Sequence, residues 1–204
     1  LKDIKSAMSK HGKIKVIITT NFDQLLERAL NAEGVTPQII YSDDSINGAK
    51  PIVHEGCTLI KVHGDYMDAR IKNTKKELEQ YSAPLNNILD QVFDAFGLIV
   101  VGWSGEWDDA LYSAIMRTPS RRYSFYWAAY QGNIGDKAKG IIEHRDGQVI
   151  DIESADKFFK ELGDKVEVLD RLKKPHPYSV SMALGLAKKY CRDDQYSMEW
   201  AEWL

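Results

Sequence analysis

Apolar positions in this chain alternate between short continuous runs and longer stretches at helical spacing. Residues 15–19 are a run of β-formers. Phe22, Leu25, Leu26, Ala29 and Leu30 then recur at helix spacing until Gly34, so a buried strand, a polar turn and a helix are predicted. Residues 37–41 and 57–62 predict two more strands, separated by a loop over 42–56 that is rich in Asp, Asn, Gly and Pro. The clearest helix follows Pro84, where Leu85, Ile88, Leu89, Val92, Phe93 and Phe96 form one stripe that Gly97 is expected to close. Residues 98–101, Leu-Ile-Val-Val, read as a strand buried on both faces. A helix with Ala110, Leu111, Ala114 and Ile115 on one side, an aromatic strand over 124–130, a helix over 134–144, a strand over 148–152 and a helix over 154–162 continue the alternation.

Strand and helix taking turns in this way is the pattern of an α/β protein with a Rossmann-like, doubly wound parallel sheet. The two ends depart from it. Residues 1–10, with Leu1, Ile4 and Met8 on one face and Gly12 beyond, read as the end of a helix, and Thr74 to Glu77 matches a capping box. After Gly163, residues 166–169 suggest an edge strand, Pro175 and Pro177 a linker, and residues 180–190 and 194–204 two helices. A Rossmann-type domain over 1–163 and a small helical C-terminal extension over 164–204 are expected. The extension, with Trp200, Trp203 and Leu204 at its end, reads as an interface or the start of another domain.

Composition narrows the function classes. A net charge of −3 on 204 residues gives no electrostatic footprint for nucleic acid or an anionic membrane, and no apolar run is long enough to span a bilayer. The two cysteines, Cys57 and Cys191, have no C-x-x-C spacing. That excludes a disulfide framework and a four-cysteine zinc site and suits a reducing cytoplasm. His54, Cys57 and His63 match no zinc spacing, so no metal is expected.

Candidate chemistry gathers where three strands end: Thr20, Asn21 and Asp23 after the first, His63-Gly64-Asp65 after the third, and Gly102 to Asp109 after the fourth. In open α/β sheets, ligands bind beyond the carboxyl ends of the strands, against helix N-termini. Taken singly, Asn21 reads as a helix cap, His63 as a turn histidine and Asp108 as the cap of the next helix. Three such coincidences on one rim favour a site. His63 is the natural general base. Gly102-Trp103-Ser104-Gly105 lacks the last glycine of a nucleophile elbow, and no P-loop is present.

Thr19-Thr20-Asn21-Phe22-Asp23, Lys61-Val62-His63-Gly64-Asp65 and Val101-Gly102-Trp103-Ser104-Gly105, in that order, resemble the ordered motifs of the sirtuin-like family. The resemblance covers about residues 14–163 and is nearest to the zinc-free bacterial branch, many of whose members cleave NAD in antiphage defence. It implies NAD as substrate. Asn21 would hold the ribose and the catalytic water, and His63 would act as base. Thr20 and Asp23 would contact the cofactor, Asp23 at the nicotinamide amide. Gly102 and Ser104 would line the phosphates, with Asp108 or Asp109 nearby. The implied reaction releases nicotinamide and ADP-ribose.

This sequence departs from the family in two places. No G-A-G-type loop precedes Thr19, so that segment either lies upstream of Leu1 or is lacking. Residues 66–97 hold no cysteine, which counts against the zinc module of deacylases and towards hydrolysis. Deacylation, ADP-ribosyl transfer and a non-catalytic NAD or ADP-ribose sensor are the alternatives. A homo-oligomer or attached regulatory domains, a cytoplasmic location and no contact with nucleic acid or membrane are the accompanying expectations.

Overall fold

A computed structural model describes residues 14–67, 80–173 and 177–190. The chain divides into two compact units, Leu1–Asp164 and Lys165–Leu204.

In the first unit, strands and helices alternate as β1 (Val16–Thr19), α1 (Leu25–Ala32), β2 (Gln38–Ile40), α2 (Asp43–Asn47), β3 (Thr58–Lys61), α3 (Ala83–Ala95), β4 (Leu98–Val101), α4 (Asp109–Arg117), β5 (Phe125–Tyr130), α5 (Asp136–His144) and β6 (Gln148–Ile152). Every strand pairing is parallel, as helical crossovers require. The ladders form two three-stranded sheets, ordered β1-β3-β2 and β4-β5-β6. The architecture is therefore α/β with parallel sheets and interleaved helices, consistent with the Rossmann-like expectation.

One core serves both sheets. Ile40, Ile60 and Val62 from the first join Val100, Trp127 and Ala129 from the second, together with the apolar stripes of α3, α4 and α5. A smaller cluster of Leu30 and Cys57, with Ile14, Ile17 and Val35 against it, covers the other face of β1 and β3. Burial pushes the Cys57 thiol up to about 11, so it stays protonated and inert. All four residues of β3 are buried, Lys61 among them.

Local chemistry explains the helix ends. Ser82 caps α3 by accepting the Leu85 N–H, and Pro84 lies in the first turn. The helix ends at Phe96 in an extended conformation, so Gly97 is not its cap. A Cβ at Gly97 would stand 2.9 Å from the Ser124 carbonyl oxygen, so the close approach of β5 is what requires glycine there.

Three further expectations need correction. The first helix starts at Leu25 rather than Phe22. The loop over 42–56 contains α2, opened by a reciprocal capping box between Ser42 and Ser45, and a 3-10 turn at Ile52–His54. The edge strand over 166–169 is instead part of α6 (Ala155–Lys173), which runs on through Gly163. Phe159, Leu162, Val166 and Leu169 recur at spacings of three and four, and this helical period overrides the local β-propensity of Val166-Glu167-Val168. In the second unit α7 (Pro177–Tyr190) opens on Pro177. The helices expected over 1–10 and 194–204 and the capping box at 74–77 lie outside the described residues. No helix among the described residues is long and apolar enough to cross a membrane.

Candidate functional site

The parallel register of β1 on β3 pairs Thr19 with Lys61. Asn21 and His63 each stand two residues beyond that pair, so both strands deliver a polar residue at the same level of the sheet. The pairing continues past the strands: Val62 N–H donates to the Thr19 carbonyl at 3.1 Å and Tyr66 N–H to the Phe22 carbonyl at 2.9 Å.

The Asn21 turn is closed by its own neighbours. The Asn21 N–H donates to Thr19 Oγ1 at 3.1 Å, and Asp23 Oδ1 accepts the Leu25 N–H at 2.9 Å. The helix-capping duty that the sequence suggested for Asn21 is not observed: the N-cap is Gln24, with no side-chain cap bond, Asp23 only closes the turn before it, and Asn21 is left exposed.

His63 and Asp108 come together from different sheets. Nε2 of His63 lies 2.7 Å from Asp108 Oδ2, with the two side chains 15% and 5% exposed. Asp108 follows β4, where Gly102 takes the left-handed region at φ +72° to turn the chain out of the strand. The same carboxylate accepts the Tyr81 hydroxyl at 2.8 Å and, through Oδ1, the Leu111 N–H at 2.9 Å, so it also caps α4. Burial by itself would raise the Asp108 pKa. The bonds from His63, Leu111 and Tyr81 and the charge of His63 overcome this and hold it below the usual carboxylate value. Tyr81 is pushed far above the usual phenol value by burial first, then by the charge of Asp108 and the bond to it. An ionised Asp108 only accepts hydrogen bonds. His63 therefore presents Nε2–H to it, which turns Nδ1 to the side away from Asp108.

The rest of the third strand end is held to its surroundings. Ser104 Oγ accepts the Glu106 N–H at 3.3 Å. The Trp103 ring lies 5.9 Å from that of Trp127 on β5. Glu106 Oε1 accepts the Lys137 N–H at the start of α5, while Lys137 Nζ donates to the Glu106 carbonyl and to the Asp109 carboxylate. Trp107, beside Asp108, is 83% exposed.

Of the residues singled out from the sequence, hydrogen bonds join His63 to Asp108, whereas the side chains of Asp23 and Ser104 and the backbone N–H of Asn21 bond within their own turns. Thr20 and Gly102 line the same strand ends. Sequence reasoning missed Tyr81, for which there was no local signal, and Lys61, for which there was one: a charge inside the apolar run Thr58-Leu59-Ile60-Lys61-Val62. Lys61 Nζ donates to Glu27 Oε1 at 2.8 Å and to Asp65 Oδ2 at 2.7 Å, and its side chain is fully buried. Burial alone would lower its pKa. The bonds and charges of Asp65 and Glu27 win, and the net shift is upward. Burial by itself would raise the Asp65 pKa; the bonds from Lys61, Met67 and Gln24 together with the charge of Lys61 overcome it, and the net shift is downward.

A SIR2-like domain model matches residues 15–144, well over half of the chain. The chain belongs to the SIR2-like family. The match runs from β1 through α5 and so contains all three strand ends. SIR2-like domains use NAD, and the family is generally enzymatic on it. No curated protein matches the chain. Among the described residues of this SIR2-like domain, no group of three or more His, Cys, Asp or Glu side chains is placed to hold a metal ion.

Proposed function

We propose that this SIR2-like domain is an NAD glycohydrolase. The observation that carries the reading is the His63–Asp108 pair, a partly exposed imidazole held at 2.7 Å by a buried carboxylate at the rim where the family's motifs converge. In the reaction the bond between the ribose and the nicotinamide nitrogen breaks, and its electron pair goes to the pyridinium ring, which leaves as neutral nicotinamide. A water adds to the oxocarbenium-like carbon and its proton passes to His63 Nδ1, giving ADP-ribose. Because the leaving group needs no proton, one base and good positioning are enough. Asn21 would orient the water and the ribose, and Asp23, Thr20, Gly102 and Ser104 would line the nucleotide. Membership of the zinc-free bacterial branch, a role as a defence effector in the cytoplasm, and control by self-association or attached domains belong to the same proposal.

The test is nicotinamide release from NAD by the longest natural form of the protein, comparing wild type with His63→Ala and Asn21→Ala. Loss of the base is expected to slow release by about a hundredfold to ten-thousandfold with the protein still folded. A wild type that binds NAD and releases no nicotinamide would make the domain a sensor, and labelled ADP-ribose trapped on protein would make it a transferase.

A further inference from the structure

Lys61 has no place in the chemistry proposed above, yet it is the most completely enclosed charge described in the chain. Its ammonium meets four oxygens. Two belong to side chains, Glu27 and Asp65. The other two are main-chain carbonyls, that of Phe22 at 3.1 Å and that of Asp23. An ammonium has three protons to give, so all are engaged. Those carbonyls belong to the two residues immediately after Asn21. Asp65 is in turn fixed by the Met67 N–H at 2.9 Å, and Glu27 stands on α1, the helix that the turn leads into. Glu27 Oε2 has no hydrogen-bond partner among the described residues, so the Glu27 carboxylate depends on Lys61. A lysine two residues before His63 on β3 thus grips the turn that follows β1.

We propose that Lys61 is a positioning residue, clamping the 22–23 backbone so that Asn21 is presented at the level of His63. The inference deepens the NAD-cleaving reading and rests on it for its effect on rate. One fully buried cation with two nearly buried carboxylates is costly to assemble, and breaking it by removing one partner is costlier still. Misplacing a catalytic group by about 1 Å is enough to cost on the order of a hundredfold in rate.

Lys61→Met alone would strand two buried carboxylates, so the test uses a neutral triple variant, Lys61→Met with Glu27→Gln and Asp65→Asn. Its control is the double variant Glu27→Gln with Asp65→Asn, in which Lys61 still reaches both carbonyls. Lys61→Arg serves as a second probe, since a planar guanidinium cannot place one nitrogen among four oxygens. Amide hydrogen exchange over residues 20–26 and steady-state nicotinamide release are read on each. The triple variant and Lys61→Arg are expected to exchange at least about tenfold faster across the turn. Their kcat is expected to fall about tenfold to a hundredfold while KM for NAD moves less than about threefold, and the double variant, which keeps the bonds to both carbonyls, loses less kcat than the triple. Unchanged exchange across the turn in folded Lys61→Arg overturns the clamp, and so does an equal loss of kcat in the double and triple variants. A wild type that releases no nicotinamide fails the parent reading instead, and the exchange comparison still decides the clamp.

Discussion

Lys61 and His63 stand two residues apart at the end of β3, and each faces carboxylates, but the two surroundings differ. Lys61 has no exposed side-chain surface, and all of its protons are committed to oxygens of this chain. His63 keeps 15% of its side chain exposed and commits one nitrogen to Asp108, and the other has no partner among the described residues. In one cluster the cation spends every proton and fixes where the backbone goes. The other is left one bond short of satisfaction, and that missing bond is what a reacting water can supply. A charge whose hydrogen bonds are complete does structural work, whereas a half-satisfied titratable group at a rim is available for chemistry.

The strongest way to break this comparison is Lys61→Ala, which leaves Glu27 and Asp65 buried without their cation. A loss of about 3–5 kcal/mol of stability is expected, read from urea denaturation midpoints. A loss under about 1 kcal/mol would place the cluster in water rather than in the core. Asp108→Asn sharpens the contrast, because it keeps the shape but removes the charge that orients His63. Hydrogen bonds to charged groups are worth about 1.5–3 kcal/mol, so nicotinamide release should slow by about tenfold to a hundredfold. Full activity in that variant would remove Asp108 from the site.

Acidity separates the clusters more gently. Asp65 and Asp108 both have folded-state pKa values below their unfolded ones. Their contribution to stability is therefore present above the unfolded value, about 3.9, and is lost as pH falls through the folded one. Lys61 is raised, so its contribution holds below its unfolded value, about 10.4, and is lost only as pH rises through the folded one. Melting temperature should be level between those limits and fall below about pH 4, with a shallower acid limb in Asp65→Asn. An acid limb identical to wild type in Asp65→Asn would contradict the downward shift. The smallest effect belongs to Gly102→Ala. No atom lies within 4 Å of the added Cβ, so only the strain at φ +72° is felt. About 1 kcal/mol of destabilisation, measured by thermal melting, is the expected result.

Much of the fold was legible because two periods carry it. Continuous apolar runs marked β1, β3, β4 and β5, and stripes at three and four marked α1, α3 and α4. The misreadings came where short-range signals conflict. Residues 166–169 have strand-like propensity inside a helical period, and Ser42 and Ser45 form their capping box in a stretch dense with turn residues. At the site, the sequence supplied His63, Asp108 and Asn21 as residue types at strand ends. It gave no sign that Tyr81 reaches Asp108 or that Glu27 reaches Lys61.

The sequence by itself determined the order of strands and helices, their parallel arrangement and the rim on which polar residues collect, because these follow from local periodicity and the ends of apolar runs. Only the tertiary structure decided which of those residues meet. His63 and Asp108 are 45 positions apart and come from separate sheets, and Lys61 and Glu27 are 34 apart. Such pairings depend on how whole sheets and helices pack around a shared core. That packing sums many weak apolar contacts, and no window of sequence contains it.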